Sequence, residues 1–381
     1  MQKFDNQLFQ MIKTMQENSS YIEVIIFVKD FDTAVKFFEG KNYQIKARFP
    51  FINAICVGID FSDIKYLSRL NNVAYISSQA KVFTQSVVAK SIINIKNFFQ
   101  PNNVGKGINV AVIDTGIRTH IDFLYPHNRI IKFVDIIDNS NDDKPFDDNG
   151  HGTFVAGLIA GNGTASGHKY SGFAPQCNLI ILKALDEKGQ SNSVEMLQAM
   201  QWIFDNKEKY NIKVVCMSFG AMPTSKNDPL MKEAERLWDS GIVVVAAGGN
   251  SGPEKNTIKS PGTSRKIITV GSFDDARDEQ ENYNVEKFKI ADFSSRGPAF
   301  EFYKPDLVVS GVDIISCGLS SDYTTMSGTS VSAPMIAGIS ALLIEKYKHN
   351  ITPNQIKSIL QHHCLPIVKD RNMEGFGYLH F

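Results

Sequence analysis

From Gly107 onward, short apolar runs alternate with helical stretches, and this alternation restricts the fold more than any other feature of the chain. Strand candidates are Ile108 to Ile113, Leu179 to Leu182, Val214 to Ser218, Ile242 to Ala247 and Ile267 to Val270. Helix candidates are Gly152 to Ala160, Val194 to Asn206, Pro229 to Ser240 and Val331 to Tyr347. A strand that is apolar at nearly every position has both faces covered, which predicts a mainly parallel sheet between layers of helices. The expected fold class is therefore α/β with three layers.

Residues 21–83 follow another pattern. Tyr21 to Val28, Asn53 to Ile59 and Val73 to Ile76 are strand-like, and Asp32 to Phe38 and Asp63 to Leu70 have helical period. The order suggests βαββαβ, a small ferredoxin-like α+β unit. Residues 1–20 form a polar lead-in. A chain of 381 residues has room for both units.

Several function classes are disfavoured at this level. A formal net charge of +0, from 40 basic and 40 acidic residues, gives no electrostatic case for nucleic acid or an anionic membrane. The longest apolar helix candidate begins near Val331, contains serines, a glycine and Pro334, and falls short of the ~20 residues a membrane span requires. The N-terminus stays polar through Ser20, with no continuous apolar core after Lys3, so a secretory signal is not expected. Five scattered cysteines (Cys56, Cys177, Cys216, Cys317, Cys364) make no disulfide framework and suit a reducing compartment. The expected location is the cytoplasm, unless a route without a signal exports the chain.

Three local motifs carry chemistry. Val112-Ile113-Asp114-Thr115-Gly116 puts a carboxylate at the end of an apolar strand. Asn149-Gly150-His151-Gly152-Thr153 presents an imidazole at the start of an apolar helix. Ser327-Gly328-Thr329-Ser330-Val331-Ser332-Ala333-Pro334 delivers a hydroxyl through a small-residue turn to a helix start, where Pro334 is tolerable and negative charge is favoured. Alone, each has an ordinary reading: a turn aspartate, an exposed histidine, a helix cap. Serine hydrolysis needs all three groups, a nucleophile, a base and an orienting acid, and an open α/β sheet gathers such groups at the carboxyl ends of its strands.

Taken together, in the order Asp, His, Ser, these motifs resemble the subtilisin family over roughly residues 104–365. The resemblance implies a subtilisin-like fold and a serine endopeptidase with Asp114, His151 and Ser330 as its triad. It extends to Ala246-Ala247-Gly248-Gly249-Asn250-Ser251-Gly252, the family segment that carries the oxyanion-hole asparagine, here Asn250. Gly161 to Ser166, Phe173-Ala174-Pro175, Ala291 to Pro298 and Lys304-Pro305-Asp306 resemble the intracellular AprX-like branch. Phe154, Val331-Ser332-Ala333 and Phe219 depart from common family residues.

The resemblance also implies an extended protein or peptide substrate between two backbone edges, Ser218-Phe219-Gly220 and Gly189-Gln190-Ser191. It implies a propeptide, residues 1–83, that chaperones and then inhibits the catalytic domain, residues 84–381, as an intramolecular partner. Thr84-Gln85-Ser86-Val87 resembles a mature N-terminus, so processing is expected between Phe83 and Thr84, with a large apolar residue preferred before the scissile bond. No cofactor is required for the chemistry. Gln85 and Asp122 match two ligands of the family's strong calcium site, but Gly161 to Gly172 lacks the family's calcium loop. The acidic run Asp138, Asp142, Asp143, Asp147, Asp148 has no EF-hand pattern and is expected to be a solvated loop, and His362-His363-Cys364 is too short for a zinc site. The main rival is a peptide-binding protein of the same fold without catalysis; the intact set of Asp114, His151, Ser330 and Asn250 favours the enzyme. A second rival keeps the enzyme but leaves its propeptide as a permanent inhibitor.

Overall fold

Strand β1 (Tyr21–Val28) buries residues of both parities, because each of its faces meets a different partner. The computed structural model describes residues 3, 8, 21–60, 62–78, 81–84, 89–90, 98–138, 144–277, 283–320 and 322–381. The N-terminal unit runs β1, α1 (Phe31–Gly40), β2 (Gln44–Phe49), β3 (Ala54–Asp60), α2 (Asp63–Ser68) and β4 (Val73–Ser78). Its sheet has the order β2-β3-β1-β4, and all three pairings are antiparallel. That is the expected ferredoxin-like topology.

Val24, Ile26 and Val28 of β1 pack with Ala34, Phe38, Ile64 and Leu67 of the two helices. On the other face Ile25, with Phe49, Ala54 and Cys56, joins the main core of the molecule. The lead-in is not merely polar. Leu8 is fully buried in the N-terminal unit, and Lys3 Nζ donates to the carbonyls of Leu70 and Val73.

The large sheet is built from β6 (Asn109–Asp114), β7 (Ile130–Asp135), β8 (Asn178–Lys183), β10 (Ile212–Met217), β12 (Val243–Ala247), β13 (Ile268–Asp274), β14 (Leu307–Ser310) and two short C-terminal strands, β15 (Cys364–Leu365) and β16 (Tyr378–Leu379). Its order is β15-β16-β14-β13-β12-β10-β6-β8-β7, parallel except for the β15–β16 pair, with Lys289–Ile290 added antiparallel to β13. From β6 the chain goes out to the edge strand β7, comes back to insert β8 between them, and then lays β10 on the other side of β6. The carboxyl ends of β6 and β10 therefore flank the switch point where such sheets form their crevice.

The principal helices are α3 (His151–Ala160), α4 (Ser193–Asn206), α5 (Pro229–Asp239), α6 (Thr329–Lys346) and α7 (Pro353–His362). Every residue of α3 is buried, as are Thr329 to Ile344 of α6, so these two are core helices rather than amphipathic covers. Sequence-expected boundaries fall within a few residues of the observed ones, as is usual at frayed ends.

The N-terminal sheet docks on α4 and α5. The Phe51 and Phe204 rings stack with centroids 4.4 Å apart, Tyr75 Oη donates to Ser225 Oγ at 2.9 Å, and Arg236 sits 5.4 Å from the Phe204 ring centre. A cleft of about 520 Å³ remains at this seam, lined by Phe27, Phe51, Tyr75, Lys232, Glu235 and Asp239 among others.

Candidate functional site

Asp114 is the last residue of β6, and His151 is the first residue of α3. Gly150 precedes the helix with φ 101°, a left-handed conformation that glycine adopts without strain. The turn so made brings His151 Nδ1 to 2.7 Å from Asp114 Oδ1. That contact assigns the Nδ1 proton to the carboxylate side and leaves Nε2 as the free base. Nε2 is buried and has no hydrogen-bond partner among the described residues. Burial works against charging the imidazole, but the charge and hydrogen bond of Asp114, aided by the charge of Asp147, hold the His151 pKa above its ordinary value.

Ser330 is the second residue of α6, fully buried, just after Gly328 and Thr329. Helices α3 and α6, which carry His151 and Ser330 at their starts, pack against each other. Asn250 lies in the turn after β12. Its Oδ1 accepts from Thr329 N at 2.8 Å and from Thr329 Oγ1 at 2.9 Å, while Gly249 N donates to the same Oγ1 at 3.0 Å. With both Thr329 donors on Oδ1, the side-chain amide nitrogen is turned the other way. Thr329 thus locks Asn250 to the residue next to Ser330.

Two of the three residues in each expected edge lie in strands, with a third strand between them. β5 (Lys81–Thr84) pairs antiparallel with β9 (Gln190–Asn192) on one side and β11 (Phe219–Ala221) on the other. Phe83 stands opposite both Gln190 and Gly220, and Thr84 stands opposite Phe219. Ser191 pairs with Val82, while Gly189 and Ser218 precede the two edge strands. The Gly189 turn has φ 68° and Ser218 is fully buried. Of the residues that depart from family usage, Phe154 and Phe219 are fully buried, and the Ser332 hydroxyl meets Ser272 Oγ at 2.8 Å.

The calcium expectation meets an unsuitable donor set. Gln85 lies outside the described residues. Asp122 is fully buried, and its carboxylate accepts from Gly163 N at 3.0 Å, Ala165 N at 2.9 Å and Tyr323 Oη at 2.7 Å, with the Cys317 thiol at 3.7 Å. Calcium needs six to eight oxygen acceptors turned toward it. Here N–H and O–H donors are turned toward the carboxylate, so Asp122 with these partners does not fit a calcium ligand. His120, Asp122 and Cys317 bring ligand-type atoms within 4.8 Å of one another. However, His120 Nδ1 already accepts from Asp122 N at 3.1 Å, and burial pushes the Cys317 thiol pKa well up, against the thiolate a zinc would need.

Asp147 was expected in a solvated loop and is only 6% exposed. Asp142 and Asp143 of the same run lie outside the described residues. Asp148, from that run, pairs with Lys183 at 2.6 Å. The signal for Asp147 was present in Asp147-Asp148-Asn149-Gly150, since an aspartate opening such a turn accepts from amides two and three residues on. Asn149 N and Gly150 N donate to it in this way.

The fold is that of a serine hydrolase of subtilisin architecture, and the chain belongs to the subtilase family, whose model matches residues 105–378. It is a subtilisin-type serine endopeptidase. The chain is 35% identical over 351 residues to serine protease AprX of Bacillus subtilis (strain 168), covering 84% of this chain and 76% of that protein. It is 31% identical over 259 residues to subtilisin DY of Bacillus licheniformis, covering 67% of this chain and 83% of that protein. Among solved structures it is similar to the S41 psychrophilic protease, with TM-score 0.64, 27% identity and 77% and 98% of the two chains covered. Fervidolysin from Fervidobacterium pennivorans shares the fold over 99% of this chain and 61% of its own, with TM-score 0.73 and 18% identity. Among the described residues, no helix is long and apolar enough to cross a membrane.

Proposed function

We propose that the chain is a self-processing endopeptidase zymogen, with residues 1–83 as propeptide and residues 84–381 as catalytic domain. The observation that carries this reading is β5, held as the middle strand between β9 and β11. A peptide substrate adds to strand edges in the same antiparallel manner, so the chain presents a segment of itself where a substrate would lie. Processing falls between Phe83 and Thr84, and Phe83 accounts for a preference for large apolar residues before the scissile bond.

The chemistry follows from the cluster. Ser330 Oγ attacks the peptide carbonyl carbon while His151 Nε2 takes its proton. Asp114 fixes the imidazole tautomer and stabilises the imidazolium. The Asn250 side-chain amide and the Ser330 N–H hold the oxyanion. The C–N bond then breaks as His151 protonates the leaving amine, and water, activated by His151, releases the acyl group from Ser330. No metal takes part, and Asp122 serves as a buried hydrogen-bond hub in place of a calcium ligand. The cysteines are few and scattered and make no disulfide framework, which supports a cytoplasmic location.

Intact-mass analysis of wild type beside Ser330→Ala tests the zymogen reading. It requires a chain starting at Thr84 in wild type and an uncut chain in the variant. Cleavage elsewhere, or equal cleavage in both, refutes it. A second reading, in which the cleaved propeptide stays bound as a lasting inhibitor, is favoured by Ile25, Phe49, Ala54 and Cys56 being fully buried in the core shared with the catalytic domain. Co-elution of both fragments on gel filtration after cleavage supports it, and separation removes it.

A further inference from the structure

The loop after Asp114 and the loop before His151 are cross-braced through one buried carboxylate. Asp147 Oδ1 accepts from Thr115 Oγ1 at 2.9 Å, Asn149 N at 3.0 Å and Gly150 N at 2.8 Å. Its Oδ2 accepts from Thr153 N at 2.9 Å and Thr153 Oγ1 at 2.6 Å. Each threonine hydroxyl that donates to Asp147 also accepts an amide from the opposite loop. Thr115 Oγ1 takes Gly152 N at 2.9 Å, and Thr153 Oγ1 takes Arg118 N at 2.8 Å. The backbones touch as well: Gly116 and Asp147 form an antiparallel bridge, and Ile117 N donates to Phe146 O at 3.0 Å. Thr115 follows Asp114 directly, and Gly152 and Thr153 follow His151.

We propose that Asp147, acting through the Thr115 and Thr153 hydroxyls, is the positioning residue that sets the Asp114–His151 contact. The carboxylate is suited to the task. Burial alone would raise its pKa, but the hydrogen bonds from Thr153, Gly150 and Asn149 outweigh burial and keep it ionised. Among the described residues, the charged groups about the His151 loop include Asp114 on β6, Asp147 itself, Asp148 beside it, Lys183 on β8, and Arg118, whose amide meets Thr153. Lys183 is turned to the carbonyls of Thr115 and Leu185 and paired with Asp148. Asp147 is thus the second anion acting on the imidazole, after Asp114.

The inference rests on the reading of Asp114 and His151 as catalytic partners, and one set of full-chain variants separates the two. Asp147→Asn keeps the volume but turns an amide donor toward Thr153 N–H or Thr115. Thr115→Val removes one brace, and Thr115→Ser retains the hydroxyl. On a chromogenic peptide, Asp147→Asn is expected to lower kcat by about 10–100-fold with KM within about twofold, because a misplaced catalytic group costs that much in rate. The acid limb of its kcat/KM profile moves to lower pH. Thr115→Val falls in kcat as well, and Thr115→Ser stays near wild type. If Asp147→Asn does not fold by circular dichroism, the Thr115 pair decides alone. Equal kcat in Thr115→Val and Thr115→Ser, or an Asp147→Asn enzyme with wild-type kcat and an unmoved acid limb, overturns the inference. An inactive wild type would instead count against the catalytic reading beneath it.

Discussion

Asp122 offers a worked prediction, because it distinguishes a hydrogen-bond hub from a metal ligand. Replacing it with alanine strands three donors: Gly163 N, Ala165 N and Tyr323 Oη. Each buried donor left unsatisfied costs about 1–3 kcal/mol, giving roughly 3–9 kcal/mol before water enters the void. With water restoring part of the bonding, we take a loss of about 4 kcal/mol. A unit of about 300 residues unfolds with an entropy near 0.6 kcal/mol/K, so the midpoint should fall by about 6 °C. The assay is a thermal scan of the full chain carrying Ser330→Ala to prevent self-digestion, with Asp122→Ala added, each with and without excess chelator. The expected result is a clear drop with Asp122→Ala and no effect of chelator on the parent. A chelator effect as large as that of the substitution would refute the reasoning, and so would an Asp122→Ala midpoint within about 1 °C of the parent.

Three other outcomes are expected. Phe51→Ala removes the ring stacked on Phe204; lost apolar contact and the aromatic pairing together are worth about 2–3 kcal/mol, so hydrogen exchange at α4 and α5 amides should rise in the full chain, and unchanged exchange would count against docking through this contact. Asn250→Ala should lower kcat by about 10²–10³-fold with a smaller effect on KM, a magnitude taken from the loss of one such donor in a subtilisin, and a kcat within a few-fold of wild type would remove Asn250 from the oxyanion site. Both Glu233 carboxyl oxygens are buried without a hydrogen-bond partner among the described residues, and burial, reinforced by Asp205, pushes its pKa well up. A raised carboxyl pKa means that the folded state holds the proton more tightly, so stability is fully present below the unfolded pKa of 4.5 and is lost as pH rises toward the folded pKa. Glu233→Gln should therefore gain in melting temperature over wild type as pH rises from about 4 to 9, and a constant gap would contradict the assignment.

Much of this arrangement was legible in the residues, and what escaped did so for physical reasons. Both-face burial forces continuous apolar strands, so β6, β8, β10 and β12 announce themselves. The βαββαβ order of the N-terminal unit was equally readable from its alternating runs. Asp114, His151 and Ser330 stand at strand ends and helix starts, where local punctuation marks them. The turn bonds of Asp147 were readable from Asp147-Asp148-Asn149-Gly150, but its burial was not, because that depends on a bridge to Gly116, 31 positions earlier. Asp122 was only a weak metal-ligand candidate, from resemblance; its donors come from the Gly163–Ala165 turn and from Tyr323, far along the chain. Helix α7 carried a clear start signal, Thr352 capping with Gln355 and Pro353 in the first turn, that strand-helix alternation alone passes over. Strand β5 has too little sequence to announce a strand, and its order comes from the two edges that hold it.

The central claim is that Ser330, activated by His151, is the nucleophile of a working protease. A fluorophosphonate probe applied to wild type, Ser330→Ala and His151→Ala tests it directly, with the modified residue read by mass spectrometry. The account predicts a single adduct on Ser330 in the processed wild-type protein, none in Ser330→Ala, and strongly slowed labelling in His151→Ala. Processed, folded wild type that takes no label, or labelling that persists in Ser330→Ala, would contradict it.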